Sequence, residues 1–226
     1  MNKFAITTGF LGAQRNRFMQ YQEARSLAVR LEMASRVKGC DGVELCYPDD
    51  FDDMQALKDL LKRFDLEVSA LNFRSRRPGK WLRGAWTSES AEERREAVDD
   101  FKRLIDHAAD LGVNRVTNCP LNDGSDHLFE LDYMRAYDYA AECFSELAAH
   151  NSDIRVCIEY KENEPRTRCF FGLAGETVAF CQMVGAPNLG LTLDFGHALC
   201  AGERAAQSAA LAARTGRLFY VQMNDN

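Results

Sequence analysis

Several familiar signatures are missing from this sequence, and each absence removes a class of function. No two of the eight cysteines, at positions 40, 46, 119, 143, 157, 169, 181 and 200, form a C-x-x-C pair, so no zinc-ribbon or thioredoxin-like motif is present. Several lie in apolar strand-like or helix-like runs, where reduced thiols of a cytoplasmic protein are expected. No apolar stretch is long enough to cross a bilayer, and Met1-Asn2-Lys3-Phe4-Ala5-Ile6 lacks the apolar core of a secretory signal, so a soluble protein without a membrane partner is expected. The first strand is not followed by a G-x-G-x-x-G loop; Thr8-Gly9-Phe10-Leu11-Gly12-Ala13 imitates it poorly, which argues against a dinucleotide-binding unit. Positive charge is also scarce. Lys and Arg total 28 against 34 Asp and Glu, a net charge of −6, the reverse of the basic face that phosphate backbones require, so no nucleic-acid partner is expected. The local exception is Arg74-Ser75-Arg76-Arg77-Pro78-Gly79-Lys80, which reads as a solvated loop or as a contact for an anionic group on a substrate.

What is present is a regular alternation. The chain has 226 residues, 46% of them hydrophobic, enough to bury the core of one α/β domain over residues 1–226. Short apolar runs at 4–8, 42–46, 67–71, 114–118, 154–160, 190–194 and 218–223 read as strands. Amphipathic patterns near 21–37, 54–64, 91–111, 133–150, 175–183 and 205–215 read as helices between them. Lys38-Gly39, Leu111-Gly112, Val184-Gly185 and Thr215-Gly216 read as helix stops. Thr87-Ser88-Glu89-Ser90-Ala91-Glu92 reads as the start of the long third helix. Alternating strands and helices imply a parallel sheet, and the strand spacing suits a (β/α)8 TIM barrel. Seven strands are counted, with the sequence ending at Asn226 just past the seventh, so about seven of eight units are expected and the last helix and strand are read as missing. Such a sheet leaves its first and seventh strands open to pairing, and a homo-oligomer is the expectation.

Chemistry concentrates at the ends of three consecutive late strands. In Ile154-Arg155-Val156-Cys157-Ile158-Glu159-Tyr160-Lys161, a period of two puts Cys157, Glu159 and Lys161 on one face and the apolar residues on the other. A buried charge there is costly unless an ion or polar ligand compensates it. In Leu189-Gly190-Leu191-Thr192-Leu193-Asp194, Thr192 and Asp194 share a face, and His197 follows three residues on. In Phe219-Tyr220-Val221-Gln222-Met223-Asn224, Tyr220, Gln222 and Asn224 alternate with apolar neighbours. Barrel enzymes place their chemistry at the C-terminal strand ends, so Glu159/Lys161, Asp194/His197 and Gln222/Asn224 converge on one mouth. Carboxylates with an imidazole and an amide suit Mg²⁺, Mn²⁺, Co²⁺ or Zn²⁺, with oxygen dominance favouring the harder ions.

Each residue also has a structural alternative. Asp194 alone reads as a turn cap, His197 as a hydrogen-bonded loop histidine, and Glu159 with Lys161 as a simple ion pair. Glu44 reads equally as an inward-facing site residue or a structural one. Asp49, Asp50, Asp52 and Asp53 read as a solvated helix start. His107 and His150 read as surface or packing residues, and His127 as a loop residue at the rim. The loops around Trp81, Trp86 and Phe170-Phe171 offer aromatic surface to a ligand.

Ile158-Glu159-Tyr160-Lys161-Glu162-Asn163-Glu164-Pro165-Arg166 resembles the fifth-strand signature of xylose isomerase, I-E-P-K-P-N-E-P-R. Asp194-Phe195-Gly196-His197 resembles its sixth-strand segment, with Asp in place of Glu. Leu71-Asn72-Phe73, Gly84-Ala85-Trp86-Thr87-Ser88 and Gln222-Met223-Asn224 resemble further parts of the same family, and Asn224-Asp225 is similar to the wider sugar isomerase/epimerase superfamily. The resemblance implies a metal-dependent aldose–ketose isomerase acting on a monosaccharide. It implies Lys161, Glu159 and His197 as catalytic residues, with Lys161 polarising the carbonyl. It implies Glu159, Asp194, His197, Gln222 and Glu164 as metal ligands, although Gln222 stands where a charged or imidazole ligand is usual. A ketose 3-epimerase on the same fold and an inactive barrel fragment are the alternatives. A DNA-repair nuclease of a related barrel is disfavoured, because only His197 is well placed for its zinc cluster.

Overall fold

Each apolar run read as a strand pairs with the next in sequence, which is what short strands separated by helices enforce. The computed structural model describes residues 3–14, 19–127, 129–165 and 167–224. Arg166, at the end of the fifth-strand motif, and Asp225 lie outside the described residues. One curled parallel sheet is formed by β1 (Ala5–Thr7), β2 (Gly42–Tyr47), β3 (Glu67–Phe73), β4 (Arg115–Asn118), β5 (Arg155–Glu159), β6 (Leu189–Asp194) and β7 (Leu218–Gln222), in that spatial order. The helices are α1 (Leu27–Ser35), α2 (Met54–Phe64), α3 (Ala91–Asp110), α4 (Tyr133–His150), α5 (Ala174–Val184), α6 (Phe195–Cys200) and α7 (Ala205–Arg214). Seven consecutive parallel strands with helices in the six connections between them are part of a (β/α)8 barrel, with β1 and β7 as the edges of the sheet.

Local chemistry sets the boundaries. Ser26 caps α1, Asp53 caps α2, Ser90 caps α3 and Asp132 caps α4, each side chain accepting from backbone N–H groups of the first turn. The four predicted stops at Gly39, Gly112, Gly185 and Gly216 all have φ between 68° and 85°, the left-handed conformation that ends a helix cheaply only at glycine. The first helix begins at Leu27 rather than near Tyr21, because Ser26 supplies the cap and Arg25 is tied to the Leu11 carbonyl at 2.9 Å. Three elements are additions to the sequence reading: a 3-10 turn at Thr8–Leu11, the short α6, and a two-stranded antiparallel ribbon joining Gly124–Ser125 to Arg168–Cys169.

The core lies between strands and helices. Val43, Leu45, Leu71, Val116, Val156, Ile158, Leu189, Leu191 and Leu193 are buried on the outer face of the sheet. An aromatic cluster extends it: Phe73 lies 5.8 Å from Trp81, 5.9 Å from Trp86 and 4.8 Å from Phe101, centroid to centroid. This corrects the expectation of aromatic surface in the loops. Trp81, Trp86, Phe170 and Phe171 are all buried, and the two indole N–H groups are held by Glu96 at 3.1 Å and Asn118 at 2.9 Å. Arg77 is likewise not a loosely solvated side chain; it sits over the Tyr47, Phe73 and Trp81 rings and pairs with Asp100 at 2.6 Å.

The acidic group before α2 divides. Asp53 is the helix cap, as expected of a helix start. Asp50 is buried, pairs with Arg30 at 2.7 Å, and accepts from the Thr8 hydroxyl and the Cys46 N–H, so it knots the ends of β1 and β2 to α1. His107 packs against Tyr47 and Phe51, and His150 pairs with Asp106 at 2.8 Å. His127 is exposed in the loop after β4. All eight cysteines are free thiols, and no helix among the described residues is long and apolar enough to cross a membrane.

Candidate active site

The inward faces of the strands carry polar residues in layers. Low in the barrel, Thr117 and Thr192 share a hydrogen bond of 2.7 Å, and Tyr220 meets Ser69 at 2.8 Å. Above them, the register sets Glu159 beside Thr192 and Asp194 beside Gln222, so the alternation that faces apolar residues outward turns these acids into the mouth. Glu159, Asp194 and His197 are buried and come together there.

Asp194 ends β6 and caps α6, its Oδ1 accepting from the His197 N–H at 2.8 Å. The cap is not an alternative to a site role, since it is what turns the imidazole back toward Glu159. His197 Nδ1 lies 3.3 Å from Glu159 Oε1, 4.0 Å from Asp194 Oδ1 and 3.1 Å from the Tyr160 carbonyl. A carbonyl only accepts, so Nδ1 carries the proton and Nε2 keeps its lone pair. Burial lowers the His197 pKa, and the positive charge of Lys161 adds to this against the pull of Asp194, so the ring is neutral near pH 7. With Nδ1–H given to the Tyr160 carbonyl, the 3.3 Å approach to Glu159 is a close contact of a neutral ring rather than an ion pair.

Glu159 has the opposite shift. Burial, then the nearby Glu44 and Asp194 carboxylates, push its carboxyl up to about 8, despite Arg74 and Lys161. Carboxylates crowded at low dielectric with a neutral imidazole beside them suit a divalent cation, which would relieve the repulsion and replace the proton. Cys119, just beyond β4, joins the group: its sulfur, a Glu159 oxygen and a His197 nitrogen all lie within 4.8 Å of one another. The sequence reading missed Cys119, although the strand period that turns Thr117 inward also turns Cys119 inward. Burial and the Glu159 charge raise its thiol pKa well above the ordinary value.

The remaining expected residues sit around this cluster. Lys161 Nζ pairs with Glu164 Oε1 at 2.7 Å, and Arg76 closes on the other Glu164 oxygen. Burial opposes the ammonium, but Glu164 outweighs it and raises the Lys161 pKa, while Lys161 and Arg76 lower that of Glu164 against its own burial. Glu164 is thus engaged by two cations and is not drawn to the Glu159–Asp194–His197 group. Gln222 donates Nε2 to both oxygens of Glu44, at 3.0 and 2.9 Å, and is directed at Glu44 rather than at Glu159. Glu44 also accepts from Asn72 at 2.8 Å, which resolves it as an inward-facing acid anchored by two amides. Asn224 lies in the chain just after β7.

Comparison with known proteins bears on the fold that carries this arrangement. The family model described as xylose isomerase-like TIM barrel matches residues 31–226. A xylose isomerase of Thermus thermophilus is 29% identical over 147 residues, covering 63% of this chain and 38% of that protein, so the chain spans well under half the length of this curated relative. Among solved structures, a family 2 AP endonuclease from Brucella melitensis superposes with a TM-score of 0.72 at 23% identity, over 99% of this chain and 79% of the other. A D-allulose 3-epimerase from Methylomonas sp., in complex with D-allulose, superposes with a TM-score of 0.75 at 18% identity, over 98% of this chain and 72% of the other. At those identities the two structures speak for the fold alone. With the family model covering most of its length and seven barrel strands in place, the chain belongs to the xylose isomerase-like TIM barrel family.

Proposed function

We propose that this chain is a metal-dependent aldose–ketose isomerase acting on a monosaccharide, in the cytoplasm, where its eight thiols stay reduced. The observation that carries this reading is Lys161, kept charged by Glu164 and set two residues beyond Glu159 on the inward side of the mouth. Glu159, Asp194 and His197 would hold the ion, with Gln222 next to Asp194 in register and Glu164 behind Lys161. Oxygen donors favour Mg²⁺, Mn²⁺ or Co²⁺, and the Cys119 sulfur with a His197 nitrogen would also accept Zn²⁺. When bound, such an ion orients two sugar oxygens and stabilises negative charge on them.

The protein's own groups do the rest. Lys161 places positive charge where the carbonyl oxygen of an open-chain sugar gains electron density, and Glu164 with Arg76 fixes its position. His197 has Nε2 as its one basic atom, so it serves either as a ligand to the ion or as the base that takes the proton of one sugar hydroxyl and returns it to the other oxygen as hydrogen passes from C2 to C1 within the substrate. A second reading, 3-epimerisation by proton transfer, draws on Glu159, whose pKa of about 8 suits a general base. Conversion of ketoses in D₂O separates the two. Isomerisation by internal hydrogen transfer leaves the product nearly free of solvent deuterium, whereas deuterium at C3 of the product would overturn it in favour of epimerisation.

A further inference from the structure

Arg74 has no part in the chemistry above, yet it is built into the same mouth. Its backbone is fixed on both sides: its N–H donates to the Tyr47 carbonyl at 3.0 Å, and its own carbonyl accepts from Arg77 Nε at 2.6 Å. The side chain crosses the ends of β1 and β2, where Nη2 donates to Cys46 Sγ at 3.1 Å. Gly9 leaves it that space, since a Cβ at this position would lie 2.6 Å from Nη2 and 3.0 Å from the Cys46 sulfur. Neighbouring cations are already matched with acids: Arg76 and Lys161 share Glu164, and Arg77 is held by Asp100. Among the described residues no carboxylate forms an ion pair with Arg74, although Glu44 and Glu159 are close enough to act on its charge. Burial disfavours that charge, but the Cys46 sulfur and these two acids outweigh it, so the guanidinium stays cationic. A half-buried fork of five N–H donors, whose one hydrogen bond among the described residues goes to a weak sulfur acceptor, is short of partners there.

We propose that Arg74 binds a carboxylate on the substrate, so that the mouth takes an acidic sugar or related polyhydroxy acid rather than a neutral monosaccharide. This rests on the reading of the mouth as a sugar site and narrows it. The planar guanidinium matches a carboxylate through two parallel hydrogen bonds, and an anion there removes the imbalance of donors. A single carboxylate also balances a single guanidinium, whereas a phosphate dianion would bring a second negative charge toward Glu44, Glu159 and Asp194.

The test compares D-gluconate, D-glucitol and D-glucitol 6-phosphate by calorimetry in buffer containing Mn²⁺, on the wild-type chain and on Arg74→Gln and Arg74→Lys. Gluconate's own chelation of the ion is common to all variants, so the ratio between variants isolates residue 74. The wild type is expected to bind gluconate about tenfold or more tighter than glucitol, as a charge-assisted bidentate pair implies. Arg74→Gln is expected to bring gluconate affinity down to the glucitol affinity measured on the same variant, and Arg74→Lys to restore part of the preference. Equal wild-type affinity for gluconate and glucitol, or a preference surviving in Arg74→Gln, overturns the proposal and leaves the sugar-site reading intact. Loss of both affinities together with thermal stability in Arg74→Gln makes Arg74 a countercharge for the buried acids and also overturns it. Stronger, Arg74-dependent binding of the phosphate overturns the carboxylate assignment. Failure of all three probes to bind the wild type sinks the sugar-site reading along with it.

Discussion

Glu159 is the residue on which the proposed site turns, because protonation and the proposed ion binding would compete for the same oxygens. Its carboxyl titrates near 8 in the fold against an ordinary value of 4.5, so the native state holds a proton that the unfolded chain releases. Stability of the metal-free protein therefore falls as pH rises through that interval. His197 has the opposite sign: its lowered pKa makes stability rise with pH, but only up to its ordinary value of 6.5. Between pH 6.5 and 8 His197 no longer offsets Glu159, and the Glu159 contribution is expected to lower stability in urea denaturation with a slope of at most about 1.4 kcal/mol per pH unit. Glu159→Gln is expected to abolish that slope. Mn²⁺ affinity of the wild type is expected to climb over the same window as the competing proton leaves, and a variant with an unchanged slope would reassign the titrating group. At this scale the acids and the imidazole were legible, because strand period alone turns Glu159 and Asp194 to one face. The role of Glu44 and the destination of Gln222 were not, since their hydrogen bonds join residues 178 positions apart.

Among the elements, the junction of β1, β2 and α1 is held by one carboxylate. Asp50 satisfies Thr8, the Cys46 N–H and Arg30 at once, next to the loop that carries Gly9 and within reach of the mouth. Asp50→Ala strands the Arg30 guanidinium, of which little is exposed, and is expected to cost about 3–5 kcal/mol in urea denaturation. Arg30→Met in the same chain is expected to recover most of that loss, because the uncompensated charge is removed; no recovery would place the loss on the Thr8 and Cys46 contacts instead. Strands, helices and glycine stops were readable because each is encoded within a few residues. The ribbon of Gly124–Ser125 with Arg168–Cys169 was not, since a two-residue strand has no periodicity and exists only because the loops after β4 and β5 approach each other. Asp50 was misread for a related reason: a run of acids before a helix resembles a solvated cap until a buried arginine from another element arrives.

For the whole molecule, the parallel order of the sheet grades its stability. β2 through β6 each have a partner on both sides, while β1 and β7 have one, and β1 pairs through only three residues. Native-state hydrogen exchange is expected to show the slowest amides in 155–159 and 189–194, and faster exchange in 5–7 and 218–222. Equal protection across all seven strands would contradict this gradient and indicate that the edges are covered in solution.

The sequence by itself determined the alternation of strands and helices, the parallel barrel class, and the delivery of Glu159, Lys161, Asp194 and His197 to one end of it. These follow from periods of two and 3.6 and from caps and stops, which operate over neighbouring residues. Only the tertiary structure decided which polar groups meet: Cys119 beside Glu159, Gln222 on Glu44, Glu164 between Lys161 and Arg76, and Arg74 across Gly9. It also decided that the tryptophans and phenylalanines of the loops face the core. The reason is that burial and hydrogen-bond satisfaction are settled among partners far apart in the chain, and no local pattern specifies a distant partner.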